Sequence, residues 1–163
     1  GLQNYTGKIQ KKFVGKELDW LMEAPCEFLV PAARPDSITS RNADRIQCKV
    51  ILQGANTPSN KMTEYYLKNR RGILSLNDFI VNAGGVVGCA VEIKMAADPE
   101  YRDKVRETGT RTYLEDLIYS TVSRNVEEIF QRLKGSPQDT LFREQALELV
   151  EERLNSHQKE CWL

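Results

Sequence analysis

Ile73-Leu74-Ser75-Leu76 runs straight into Asn77-Asp78-Phe79-Ile80-Val81-Asn82-Ala83-Gly84-Gly85-Val86. No other stretch restricts the fold as much. The first four residues read as a buried strand, and the segment that follows has helical spacing, so the stretch is a strand-to-helix turn. In open α/β sheets, ligands gather at the carboxyl ends of such strands, where helix N-termini offer free N–H groups. Asn77 or Asp78 can cap the helix. Asn82 lies about one turn in and can present its amide. Gly84 and Gly85 permit close backbone approach, at roughly 1 kcal/mol each in helix propensity relative to Ala. Something must offset that cost, and tight helix–sheet packing and a bound ligand both fit.

Two more strand-and-turn units precede this one. Cys26-Glu27-Phe28-Leu29-Val30 is strand-like and stops at Pro31; Lys49-Val50-Ile51-Leu52 is a near-continuous apolar run that ends at Gly54-Ala55-Asn56. Between them, Pro35 and Asp36 are expected to open a helix, with Asp36 or Ser37 as N-cap and Ile38 and Ile46 on its apolar side. Thr57-Pro58 is expected to start another, with Pro at the first helical position. Met62, Tyr65, Tyr66 and Asn69 share one side of it, with the tyrosine pair as core plus rim. Gly72 is its C-terminal stop. Strand–helix–strand–helix–strand with short crossovers predicts parallel pairing and right-handed connections. The turns Pro31-Ala32-Ala33, Gly54-Ala55-Asn56 and Asn77 to Gly85 then share one edge of the sheet. They form a concave, backbone-lined rim suited to a flat ligand.

The flanks are less constrained. Residues 1–16 are polar, with Phe13-Val14 as a short edge strand, and Glu17 to Glu23 reads as a short helical piece. After Asn82 the chain reads as all helical. One helix reaches about Ala97, before Asp98-Pro99. A second runs from about Thr110 to Leu133, with Leu114, Leu117, Ile118, Val122, Val126, Ile129 and Leu133 at helical spacing. A third starts at Ser136-Pro137 and ends near Asn155.

Composition narrows the function. Lys+Arg and Asp+Glu balance at 23 each, which argues against a dedicated nucleic-acid or anionic-membrane binder, since those need excess basic charge. No apolar run approaches membrane-spanning length, and nothing reads as a signal peptide. Cys26, Cys48, Cys89 and Cys161 are widely spaced. They give neither a zinc pattern nor a disulfide framework, so buried, reduced thiols in a cytoplasmic protein and no metal site are expected. His157, the only histidine, lies in a polar tail, which leaves Ser–His–Asp and Cys–His arrangements without their base. Cys89 lies some turns into its helix and reads as a packed or substrate-facing thiol rather than a nucleophile. Glu92 and Lys94 read as solvated or paired helix residues. No Gly-x-Gly-x-x-Gly and no Walker-type loop occurs. The chain begins with Gly1 and reads as a piece of something longer.

Taken together, Val30-Pro31-Ala32-Ala33, Gln53-Gly54-Ala55-Asn56-Thr57-Pro58 and Asn77 to Val86 have the order and spacing of the glutamate/leucine/phenylalanine/valine dehydrogenases. The chain resembles that family, most of all its glutamate dehydrogenases, from about Glu17 to Leu133. The resemblance implies a partial Rossmann-type, NAD(P)-binding parallel sheet, the second mononucleotide half, followed by C-terminal helices. Residues 1–97 would be a partial dinucleotide-binding α/β domain lacking the glycine-rich turn. Residues 98–156 would be helices packing on it, and 157–163 a tail. Ala32, Ala33, Gly54, Ala55, Asn56, Asn82, Gly84 and Gly85 would line the cofactor, NAD or NADP. Val86 and Cys89 would face the substrate, an amino acid or its 2-oxo acid. The family's catalytic lysine and aspartate belong to an upstream domain, so no catalytic residue is expected here and the chain alone is expected to be inactive. The full-length protein would be a homo-oligomer that reversibly deaminates an L-amino acid to a 2-oxo acid and ammonia. Three departures stand out. Cys89 replaces the serine of glutamate-specific members, Gln53 a frequent glutamate, and Thr57 a frequent glycine. A non-catalytic binding or assembly module that keeps the half-fold is the alternative.

Overall fold

The computed structural model describes residues 6–7 and 19–157. The expected Phe13-Val14 strand, the start of the first helix and the tail beyond His157 lie outside the described residues. Three short strands, β1 (Phe28–Leu29), β2 (Val50–Leu52) and β3 (Leu74–Leu76), pair side by side in the order β1-β2-β3. Both pairings are parallel, with Phe28 opposite Val50 and Ile51 opposite Ser75. The helices are α1 (Asp19–Glu23), α2 (Lys61–Arg71), α3 (Asp78–Val81), α4 (Gly84–Ala97), α5 (Pro99–Thr108), α6 (Thr110–Lys134) and α7 (Phe142–His157). The α/β class, the parallel sheet and the helical second half are as the sequence predicts.

Alternation along the strands divides the core between the two sheet faces. Ile51 joins Ile38, Ala43, Ile46, Leu67 and Ile73 beneath α2. On the opposite face, Val50, Leu52, Leu74 and Leu76 of the strands pack against Ile80, Ile129, Phe142, Ala146 and Leu149, from α3, α6 and α7. Each fully buried side chain of this size contributes about 1.5–3 kcal/mol. A parallel sheet needs both faces covered, and this division covers them. β1 is an edge strand whose Phe28 remains largely exposed.

Four expectations are corrected. The segment after Pro35 is not a helix. It is a looped crossover whose one regular element is a 3-10 turn at Ala43–Arg45. Its backbone is drawn off to the neighbouring loop instead: Asp36, at a left-handed φ of 50°, donates to Thr57 O, and Ile38 donates to Pro58 O. The side chain of Asn42 accepts from Thr39 N and donates to Ser37 O, which competes with helical bonding. Ile38 and Ile46 are nonetheless buried, as their spacing suggests.

α2 starts at Lys61 rather than at Thr57-Pro58. Asn60 caps it by accepting from Thr63 N, and Thr57 has a left-handed φ of 46° that no helix start tolerates. The buried side of α2 is Thr63, Glu64 and Leu67, whereas Met62 and Tyr65 are exposed.

The residues read as a helix terminator, Asp98-Pro99, also begin one: Asp98 accepts from Tyr101 N and Pro99 opens α5. Lys94 is exposed and paired, as expected: its ammonium lies 4.4 Å above the Tyr101 ring, whose hydroxyl meets that of Tyr113 at 3.0 Å. α4, α5 and α6 are tied together there.

The last helix begins at Phe142, not at Ser136-Pro137. The Ser136 hydroxyl turns back to Arg132 O, and Pro137 to Thr140 form a closed turn. Glu144 then accepts from Leu141 N, the reciprocal half of a capping box.

Gly72 ends α2 at φ 66°, with its N–H closing on Leu67 O and Lys68 O. A Cβ there meets nothing within 4 Å, so only the backbone conformation selects glycine. Gly72→Ala is expected to lower stability by about 1–2 kcal/mol, and Gly72→Asn by less, in chemical denaturation.

Candidate functional site

All three strands end at one edge, and their turns touch. Ala55 N donates to Pro31 O at 2.7 Å, and Gln53 N to Leu76 O at 3.1 Å. Thr57 N donates to the Asp78 carboxylate at 2.7 Å. A Cβ on Gly54 would lie 3.0 Å from the Ala32 side chain, so any larger residue would press the first two turns a few tenths of an ångström apart. The Asn82 carboxamide spans the second and third. Its Nδ2 donates to Asn56 Oδ1 at 3.0 Å and to Gly54 O at 3.3 Å. The structure therefore brings Ala32, Gly54, Ala55, Asn56 and Asn82 together. Ala33 lies exposed beside Ala32, and Ala55 is buried.

Neither Asn77 nor Asp78 caps α3 with its side chain. Asp78 is committed to Thr57, and Asn77 turns inward. The helix expected after them also breaks after one turn. Asn82 N closes α3 on Asp78 O, and α4 restarts with Val87 N on Ala83 O. Asn82 thus stands at the break, half-buried, with its amide pointed back at the rim.

The glycine pair begins α4. A Cβ at Gly84 would make ordinary contact with Ile118, at 3.5 Å, and one at Gly85 would meet nothing within 4 Å. Packing among the described residues therefore demands glycine at neither position. Val86 and Cys89 are exposed on the same helix, and with Ile93 they form one stripe at spacings of three and four.

Behind the rim lies a buried polar cluster. Gln53 is wholly buried; its Nε2 donates to Ser59 Oγ, Glu64 Oε1 and Ser75 Oγ, and its Oε1 accepts from Asp78 N at 3.3 Å. Asn77 Nδ2 donates to Glu64 Oε1 at 3.0 Å. Arg143, from the start of α7, grips Glu64 with two bonds, Nε to Oε2 at 2.9 Å and Nη2 to Oε1 at 2.8 Å. Burial pushes the Glu64 carboxyl up, but the bonds from Arg143, Gln53 and Asn77 and the Arg143 charge outweigh it and hold the carboxyl below its usual range. Spacing alone did not single out Glu64 or Arg143. The available signal was polar residues at Gln53 and Ser75 in otherwise apolar strands, which a parallel sheet buries.

The cysteines do not make a centre. Cys26, Cys48 and Cys89 are free thiols but not the buried ones expected: Cys26 lies just before the edge strand β1 and Cys89 on the outer side of α4, both exposed, and Cys48 is only half-buried, its thiol pushed up to about 11 by burial and by the nearby Cys26. Cys161 lies outside the described residues. Among the described residues there is no cluster able to hold a metal ion, and no helix is long and apolar enough to cross a membrane.

Known proteins are similar to this chain. A sequence model described as glutamate/leucine/phenylalanine/valine dehydrogenase matches residues 1–156. The chain belongs to that family. Within it, the chain is most like the glutamate dehydrogenases. It is 40% identical over 89 residues to the glutamate dehydrogenase of Aeropyrum pernix, covering 53% of this chain and 21% of that protein. It is 37% identical over 89 residues to the NADP-specific glutamate dehydrogenase of Saccharolobus shibatae, with the same coverage of 53% and 21%. The chain spans about a fifth of the length of these relatives. Among solved structures, the L-tryptophan dehydrogenase of Nostoc punctiforme superposes with a TM-score of 0.61 at 22% identity, covering 84% of this chain and 37% of that one. That likeness speaks for the fold alone.

Proposed function

We propose that this chain supplies the nicotinamide-side wall of the cofactor site in an NAD(P)-dependent amino-acid dehydrogenase of the glutamate type. The parent reaction is reversible oxidative deamination of an L-amino acid to a 2-oxo acid and ammonia. The nicotinamide ring, when bound, supplies the hydride chemistry; the protein's task is to hold and orient it.

One observation carries the reading. Asn56 and Asn82 form a carboxamide pair across two turns of the rim, in which Asn82 Nδ2 spends its N–H groups on Asn56 Oδ1 and Gly54 O. Asn56 Nδ2 and Asn82 Oδ1 make no hydrogen bond among the described residues. They leave one donor and one acceptor side by side without net charge. A carboxamide or a ribose hydroxyl offers the matching acceptor and donor. Ala32 and Ala33 leave room for a flat ring, and Gly84 and Gly85 let α4 come close to it. The exposed stripe of Val86 and Cys89 is the substrate side of the same cleft. On this reading residues 1–97 are the partial cofactor domain and 98–156 the helices that brace it. The full-length protein works in the cytoplasm as a homo-oligomer. NAD or NADP preference follows from an acidic or basic residue beyond the glycine-rich turn, a motif this chain does not contain.

Titrating the chain with NADH in a calorimeter tests this. Asn82→Ala is expected to weaken binding about tenfold, the value of one net hydrogen bond. Equal binding by the variant, or no heat from the parent chain, would remove the rim from the cofactor site. With L-glutamate and NAD or NADP, the chain alone is expected to show no turnover above a buffer blank.

A further inference from the structure

We infer that Gln53 is a positioning residue of the rim: its buried amide relays the Glu64–Arg143 ion pair to the start of α3 and so sets the Asn56–Asn82 pair. The cofactor role of that pair rests on the function proposed above; the relay itself does not.

The chain of contacts is continuous. Arg143 on α7 fixes both oxygens of Glu64 on α2. Glu64 Oε1 fixes the Gln53 amide at 2.7 Å. Gln53 Oε1 receives the Asp78 N–H at 3.3 Å, the first residue of α3. Asp78 then acts twice: its carboxylate receives Thr57 N at 2.7 Å, and its carbonyl receives Asn82 N at 2.8 Å. Those two bonds fix the neighbours of Asn56 and the backbone of Asn82.

The amide chemistry at position 53 is directional. Nε2 faces three acceptors, one of them an ionised carboxylate, and Oε1 faces donors. Only a group that donates at one end and accepts at the other satisfies both sides. An apolar isostere removes one donor from Glu64 and leaves Asp78 N without its side-chain acceptor. A glutamate satisfies both sides when protonated and places two carboxylates together when ionised. The charged groups around it are then Glu64 from α2, Asp78 from α3 and Arg143 from α7, one cation among three acids. That environment favours the protonated form, so Gln53→Glu imitates the parent at acid pH and departs from it as pH rises.

The test is amide-detected NMR of the ligand-free chain, following the side-chain signals of Asn56 and Asn82 and the backbone signal of Asp78. Gln53→Met is expected to displace all three at every pH. Gln53→Glu is expected to hold the parent positions at acid pH, where the carboxyl is protonated, and to lose them as pH rises, with a midpoint above the ordinary glutamate value of 4.5. Should Gln53→Met fail to fold, Ser75→Ala removes one of the three acceptors and is expected to displace the same signals less. A folded Gln53→Met, or in its place Ser75→Ala, with the Asn56 and Asn82 signals unmoved overturns the relay, whatever the cofactor does. Displaced signals with unchanged NADH affinity uphold the relay and sink the cofactor wall instead. A purely structural role would lower the melting temperature without this pH-dependent return.

Discussion

Arg143→Met is expected to destabilise the chain by about 3–5 kcal/mol at pH 7, the cost of leaving a buried carboxylate without its counter-charge. Glu64 keeps 3% of its side chain exposed and Arg143 20%, so water does little to screen the pair. The loss has a definite pH dependence. The folded-state pKa of Glu64 is held below its ordinary 4.5. The pair's contribution is therefore fully present above that ordinary value and fades as pH falls through the lowered one. In Arg143→Met the burial penalty is opposed only by the neutral donors such as Gln53 and Asn77, and the carboxyl moves up. The gap between parent and variant in urea denaturation should be widest near neutrality and narrow on acidification. A gap that stays constant from pH 7 to pH 4 would mean that Glu64 is not the group responsible.

Phe142→Ala is expected to cost about 3–5 kcal/mol, as for any large core side chain whose cavity cannot collapse. Phe142 is 1% exposed, wedged among Ile80, Ile129 and Leu149, and meets the Phe130 ring edge-on at a centroid distance of 5.8 Å. Its neighbour in sequence is Arg143. Loosening the start of α7 at Phe142 also withdraws the guanidinium from Glu64, so the two substitutions share part of their effect. The double variant should fall short of the sum of the singles by 0.5 kcal/mol or more, the usual size of coupling between neighbours. Strict additivity would show that α7 holds Arg143 independently of the aromatic contact.

The parts of the fold that depend on spacing were readable. Ile129 and Val126 repeat at helical intervals, and Ile51 sits in a short apolar run, so α6 and the parallel sheet were expected. Gly72 and Gly54 were both read as stops, and each is where the chain turns. The misjudged parts depend on where a backbone N–H finds its partner. Pro35-Asp36 looks like a helix start, but Asp36 and Ile38 spend their donors on Thr57 and Pro58. Thr57-Pro58 looks like another, but Asn60 makes the better cap. Both errors place a true element a few residues away or replace one with a loop. Neither moves the rim, because the rim is set by the strand ends.

Of the candidate site, the three turns were legible because small residues and asparagines punctuate apolar runs. The cluster behind them was not. Glu64 and Arg143 are 79 positions apart, and nothing in the spacing of α2 or α7 says that their polar residues face inward. Gln53 was noticed as a departure from a family pattern, but its burial and its three acceptors emerge only when β2, β3 and α2 are assembled.

One helix, α6, runs for 25 residues, about 37 Å at 1.5 Å per residue. It touches α3 near one end of the rim, α4 just past the glycine pair, α5, and α7. A rod that long and that widely anchored bends rather than swivels. The glycine pair is therefore tethered through α6 to the same helices that cover the sheet, so α4 moves with that layer rather than apart from it.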